Sequence, residues 1–379
     1  MATYCPNCSG KLLFSPSRQA MICRMCGGTF KPEEVGETEK ISTTYDCNIY
    51  TCPSCGGSIA VTDTEVSTSC VYCGNPTVIF DRTAKQQRPE GIIPFKLTRK
   101  KAAAAVRSQM EKAVFLPERL KNINEEDIKG IYIPYWLTSA KFYDCMTVYT
   151  KESRGSNSTS VVYGKALSCD AINMPVEAVT SIDDKFSKRI GPFDLNDLVD
   201  FDEDYLMGFY SNTPDISREV LHQTVNEKIH NKVADIICQT RSGTETHVQQ
   251  SQHYTKLCGD EILLFCPCWF YTFVYKKKTY TFMINGQTGK IAGTLPWDKS
   301  PFVRKGLLLS VLFTAVMFVP LLFLSTNDLM QLTAAIFILL IILSVPLFLT
   351  TFFRMKEIKM NLGLTQEGSV FNFVNKRMG

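Results

Sequence analysis

Eight cysteines constrain this chain more than any other feature. Cys5, Cys8, Cys23 and Cys26 read Cys-x2-Cys, fourteen residues, Cys-x2-Cys, and Cys52, Cys55, Cys70 and Cys73 repeat that pattern 47 positions later. The flanks repeat as well: Cys5-Pro6-Asn7-Cys8 matches Cys52-Pro53-Ser54-Cys55, and Cys26-Gly27 matches Cys73-Gly74. A Cys-x2-Cys turn aims two thiolates at one point, and a second turn brought close by a hairpin completes a tetrahedron around Zn²⁺. Gly27, Gly56 and Gly74 supply the tight backbone beside the sulfurs. Four protein ligands leave no open position, so the spacing predicts two structural zinc ions rather than a catalytic metal. Units this small hold little apolar core, and metal binding of roughly 10–16 kcal/mol would supply most of their folding free energy.

The redox setting supports the same chemistry. The first 30 residues contain four cysteines and no continuous apolar run, so no secretory leader is expected and the N-terminus is expected in the cytosol. Thiols there stay reduced, and clustered pairs read as metal ligands rather than disulfides. Cys47 is the odd cysteine before the second unit and is expected to do no metal chemistry.

Charge separates two uses of a zinc ribbon. Residues 1–81 hold five basic residues (Lys11, Arg18, Arg24, Lys31, Lys40) against eight acidic ones, and no Lys or Arg lies between Ile41 and Asp81. Each ion with four thiolates adds a further formal charge of about −2. Nucleic-acid affinity rests largely on phosphate neutralisation, so a net-negative module favours a protein partner. A membrane-tethered nucleic-acid-binding or replication-associated factor is the alternative reading.

The far end of the chain reads differently. Gly306 to Leu324 and Leu329 to Phe353 contain no charged residue. Nineteen helical residues span roughly 28 Å, close to the bilayer core, so a transmembrane hairpin is expected over 302–354 with spans 306–324 and 329–353. Arg304 and Lys305 precede the first span, Arg354, Lys356 and Lys359 follow the second, and the loop between has neither Lys nor Arg. The positive-inside rule then gives a cytoplasmic-membrane protein with both termini and the tail 355–379 in the cytosol. The hairpin would contact the lipid bilayer as an anchor and offer a surface for homo-oligomers.

Between these ends lies a weaker repeat. Ile131-Tyr132-Ile133-Pro134-Tyr135-Trp136-Leu137 resembles Leu264-Phe265-Cys266-Pro267-Cys268-Trp269-Phe270, 133 positions apart. A helix is predicted before each copy. The first starts near Thr98 with Ala102, Val106, Met110 and Val114 on one face. The second has Pro214 in its first turn and then Leu221, Val225, Ile229 and Val233. Strands follow each Pro-x-Trp, in the second copy at 270–275 and 278–284, and Asn285-Gly286-Gln287-Thr288-Gly289-Lys290 reads as a turn. The expected fold class is multidomain: β zinc ribbons at 1–36 and 45–82, a cytosolic α+β domain at 86–297 and the transmembrane hairpin. The α+β domain would be duplicated as helix-on-antiparallel-sheet halves 86–175 and 205–297.

Trp136, Trp269, Cys266 and Cys268 read as core, and the acidic stretch Asp183 to Asp204 as a solvated loop. No phosphate-binding glycine loop and no His-Glu-x-x-His occurs. The four histidines, His222, His230, His247 and His253, suggest no catalytic set, so a non-enzyme is expected.

The order of tandem four-cysteine ribbons, the Ile-Pro-Tyr-Trp strand, the Asn-Gly-Gln-Thr-Gly-Lys turn before Leu295-Pro296 and two terminal apolar runs resembles a bacterial family of membrane proteins. Its members are often described as similar to primosomal protein N′, a helicase comparison that this chain does not support because it has no nucleotide-binding loop. A relative is encoded beside phage-shock-protein-A-like and flotillin-like (SPFH) envelope-stress proteins. The resemblance implies a membrane-anchored adaptor that recruits a cytosolic protein of that kind.

Overall fold

The computed structural model describes residues 4–293, apart from 36–42, 63–69, 112–115, 117–119, 155–156, 181, 183–186, 188, 240–243 and 277. Two sheets organise it. The first cysteine unit forms a small antiparallel sheet, β1 (Leu12–Ser15), β2 (Ala20–Cys23) and β3 (Thr29–Phe30), followed by a single turn of helix, α1 (Pro32–Val35). Everything else builds on one eleven-stranded sheet. Its strands are β4 (Thr44–Thr51), β5 (Ser58–Val61), β6 (Ile79–Gln87), β7 (Gly91–Ile92), β8 (Ile128–Arg154), β9 (Asn157–Glu177), β10 (Val199–Asp200), β11 (Tyr210–Ser211), β12 (Thr244–Tyr275), β13 (Lys278–Asn285) and β14 (Ile291–Gly293). The helices α2 (Arg99–Glu111) and α3 (Arg218–Gln239) pack on it.

The frame is the antiparallel ladder between β8 and β12, 27 and 32 residues long. At about 3.3 Å per residue, β8 alone extends roughly 90 Å. Irregularities between Thr138 and Ala140, Val248 and Gln250, and Cys258 and Ile262 interrupt the ladders and let such long strands bend. β9 continues the sheet on the far side of β8, pairing Tyr135 with Glu177 at one end and Arg154 with Asn157 at the other.

Several expectations change here. The two Pro-x-Trp motifs do not seed separate helix-on-sheet halves. They are antiparallel neighbours in one ladder, Phe265 opposite Pro134 and Pro267 opposite Tyr132, and the carbonyls of these four residues turn outward to accept from the amides of Ile93, Ala178, Gly286 and Asn212 respectively. The short strand and the helix that precede one motif are held by the other. β7 runs parallel to β12 at Leu264 and Phe265, and β11 runs parallel to β8 at Ile131 and Tyr132. The halves 86–175 and 205–297 are therefore interlocked in a structure that is largely sheet. The strand expected at 270–275 is only the end of β12.

Helix α2 starts beside Thr98, whose hydroxyl accepts from the Lys101 amide at 3.3 Å, and buries Ala102, Ala103, Val106 and Met110. Helix α3 starts at Arg218 rather than Pro214, with the Ser217 carbonyl accepting from the Leu221 amide at 3.0 Å, and buries Leu221, Val225 and Ile229. Asn285 closes the expected turn. Its side-chain oxygen accepts from the amides of Gln287 and Thr288 at 2.8 and 2.9 Å, and Gly289 takes a φ of +77°.

The membrane expectation is corrected as well. No helix among the described residues is long and apolar enough to cross a membrane. The longest, α3, carries Arg218, Glu219, Glu227, Lys228, Lys232 and Asp235 along its length. The spans expected at 306–324 and 329–353 and the tail 355–379 lie outside the described residues. Neither the transmembrane hairpin nor the cytoplasmic-membrane location has support among the described residues.

Candidate metal centres

The eight predicted cysteines meet in two groups, Cys5 with Cys8, Cys23 and Cys26, and Cys52 with Cys55, Cys70 and Cys73, and in each the ligand atoms lie within 4.8 Å of one another. Each cluster is built by two turns of one design. The amides of Cys5, Cys23, Cys52 and Cys70 donate to the carbonyls of Gly10, Gly28, Gly57 and Asn75 at 2.7–2.9 Å. The residue four places after each of these cysteines takes a positive φ: Ser9 +57°, Gly27 +74°, Gly56 +66° and Gly74 +72°. Three of the four are glycine because the left-handed region strains other residues.

The sulfur spacings fit a tetrahedral ion. Cys5 and Cys26 stand 3.6 Å apart, Cys8 and Cys23 3.5 Å, Cys52 and Cys73 3.6 Å, and Cys55 and Cys70 3.8 Å. A tetrahedron with Zn–S bonds of about 2.3 Å has edges of about 3.8 Å. These spacings are far beyond the roughly 2.05 Å of a disulfide. Both clusters can hold a metal ion and suit zinc.

Four packed thiols also distort one another's acidity. The hydrogen bond from Cys55, joined by that from Cys70, holds the Cys73 thiol down to about 2. Backbone hydrogen bonds at Cys26 and Met25 bring Cys23 down to about 6. Cys70 goes the other way, pushed far above the ordinary thiol range by its hydrogen bonds to Cys55 and Cys73 and by burial. Four thiolates in this space need a cation among them.

The clusters differ in setting. In the first, Cys8 and Cys26 are exposed and Cys5 and Cys23 buried; in the second all four are buried. The second belongs to the main sheet. Its cysteines pack in one core with Ile131, Ile133, Tyr135 and Phe270, and its residues bond outward to that sheet. The Thr272 hydroxyl donates to the Val71 carbonyl at 3.0 Å, and the Tyr72 hydroxyl donates to the Asn212 side chain. The first unit keeps its own small sheet but shares a core with the main one: Cys5, Leu12, Phe14, Met21 and Cys23 are buried in one cluster with Phe95 and Trp269, the Phe14 ring lies 5.0 Å from Tyr205, and the Gln19 side chain donates to the Phe95 carbonyl at 2.7 Å.

Cys47 is buried outside both clusters, with its Sγ donating to the Ala84 carbonyl at 3.6 Å, and burial raises its thiol to about 11. Cys266 and Cys268 are wholly buried, and burial pushes both thiols well above the ordinary range. In the acidic stretch, Asp194 and Asp202 cap single 3₁₀ turns, and Asp197 pairs with Lys96 at 2.6 Å. An open cavity of about 1010 Å³ beside Arg88, Glu90, Trp136 and Arg218 has no His or Cys in its lining.

A group that the sequence did not suggest stands under α3. Asp144, His230 and His253 bring their ligand atoms within 4.8 Å of one another.

The chain is similar to YdjG of Bacillus subtilis (strain 168), a protein described as uncharacterized, with 26% identity over 305 residues, or 77% of this chain and 89% of the relative. No family model matches the chain, and no solved structure matches it.

Proposed function

We propose that this chain is a non-enzymatic adaptor, in which two structural zinc ions stiffen a long sheet that docks a protein partner. One observation carries the reading: β9, 21 residues long, pairs only with β8 among the described residues, so its other edge is open. An open edge offers backbone donors and acceptors to an added strand. The sheet face away from α3 adds apolar contacts, since Tyr143 and Tyr254 stand opposite each other at 47% and 61% exposure, and Val162 lies on that face. Closed four-thiolate geometry supports stiffening rather than catalysis. The net-negative first 81 residues favour protein over nucleic acid.

The test is affinity purification of the tagged full chain beside a Tyr143→Lys/Tyr254→Lys variant, with metal content and circular dichroism checked for both. A phage-shock-protein-A-like or SPFH protein is the partner class to supply first. The adaptor reading expects a protein that the parent retains and the variant loses while metal and fold stay unchanged. Retention of nucleic acid that salt releases, or an identical partner set for both chains, would overturn it.

A further inference from the structure

On β8, alternate residues face α3, and Ala140, Phe142, Asp144, Met146 and Val148 are all buried. Four are apolar and one is a carboxylic acid whose side chain is 0% exposed. Burying a carboxylate is costly unless it is paired or coordinates a metal. What surrounds Asp144 is a set of donors suited to an ion. His253 stands directly opposite it on β12, and Ser251 lies two residues earlier on the same face. His230 reaches down from α3, its side chain 22% exposed. His230 Nδ1 lies 3.3 Å from one Asp144 oxygen, and the Ser251 hydroxyl donates to the other at 2.8 Å. Ser251 Oγ is also 3.0 Å from His253 Nδ1 and 3.4 Å from His230 Nδ1. The two imidazoles stack with centroids 4.1 Å apart, and Phe142 walls the group, 6.0 Å from the His253 ring.

The geometry points to a third metal site, formed by Asp144, His230 and His253, that takes a late first-row divalent ion and clamps α3 to the β8–β12 ladder. Two imidazoles and one carboxylate form a donor set for zinc, cobalt or nickel, whereas calcium and magnesium prefer oxygen alone. Three protein ligands leave room for a fourth, which Ser251 or water would fill. The nearly parallel rings would tilt toward the shared ion on binding. A hydrolytic Ser-His-Asp relay fits less well, because Ser251 bonds Asp144 directly instead of through an imidazole. The inference does not depend on the adaptor reading.

Cobalt alone is the probe, added to the metal-free full chain. Four-thiolate sites give intense sulfur-to-cobalt absorption, and a nitrogen–oxygen site gives only weak bands. The parent is expected to bind three equivalents, one of them without thiolate absorption and with paramagnetically shifted imidazole proton signals. His253→Ala is expected to stop at two with the thiolate bands intact. His253→Gln, which keeps a polar partner for Ser251, gives the same reading if the alanine variant fails to fold. Saturation of the parent at two equivalents, both in thiolate sites, would overturn the proposal. So would a third equivalent that survives in a His230→Ala/His253→Ala chain.

Discussion

Trp136 and Trp269 make the same bond in two places: the Nε1 of each donates at 2.9 Å to a backbone carbonyl just ahead of a helix, Ile216 for Trp136 and Leu97 for Trp269. An arginine at the first helical position covers each indole, Arg218 at 5.4 Å and Arg99 at 5.9 Å from the ring centroid. The helix held by each tryptophan is the one that precedes the other motif. Neither half therefore completes its core without its counterpart.

This interlock predicts one unfolding transition for the sheet. Trp136→Phe and Trp269→Phe each remove a donor from a carbonyl near the core, a loss of about 1–3 kcal/mol. Urea unfolding of either variant should stay a single transition at a lower midpoint. Independent halves would instead show two transitions, only one of them shifted.

The two cysteine clusters should release metal at different rates. Cys8 and Cys26 are exposed, whereas all four ligands of the second cluster are buried in the sheet core. A chelating dye in excess should draw one ion rapidly and the other only on the timescale of unfolding. Cys26→Ser should abolish the fast phase and leave the sheet folded. Cys70→Ser should destabilise the whole described fold.

Lys228 on α3 meets Glu177 on β9 at 2.6 Å, with their side chains 12% and 5% exposed. Removing one member of a buried pair strands the other, at a cost of about 3–5 kcal/mol. Lys228→Met should lose stability on that scale at neutral pH. Lys228→Met/Glu177→Leu should recover much of it, because the stranded charge is gone. Equal losses in the single and double variants, measured by urea unfolding, would contradict this account of the pair.

Burial, reinforced by the charges of Glu33, Asp202 and Asp204, raises the Tyr205 phenol to about 12. Its neutral form is the one the fold favours. The associated stability is fully present below about pH 10, the ordinary phenol value, and is lost as pH rises toward 12. Unfolding midpoints at pH 9 and pH 11.5 should differ less in Tyr205→Phe than in the parent. The Phe14 contact survives that substitution, so the change isolates the ionisation.

Local chemistry was legible in the sequence and long-range pairing was not. The eight ligands follow from spacing within 22 residues, because each turn places its own two sulfurs. The Asn285 turn and the buried face of α2 are likewise short-range patterns. The β8–β12 ladder is not, since it joins residues 92 (Thr244 and Glu152) to 143 (Tyr271 and Ile128) positions apart through irregular register. The Asp144 group depends on that register, which sets His253 opposite Asp144. One signal was available: an acid inside the alternating apolar run Ala140, Phe142, Met146, Val148, with Ser251 and His253 alternating on the facing strand. The contrast between the clusters was invisible because their spacings are identical. The docking of Val71 and Tyr72 against β12 and the exposure of Cys8 and Cys26 separate them.

Element analysis of the purified full chain, run beside Cys52→Ser/Cys55→Ser and read together with unfolding, tests most directly whether both clusters are structural zinc centres. Zinc is expected at both clusters in the parent, one equivalent fewer in the variant, and a loss of cooperative unfolding of the sheet with it. A parent chain that folds cooperatively with less than one equivalent of zinc, or that carries iron with visible absorption instead, would contradict the account.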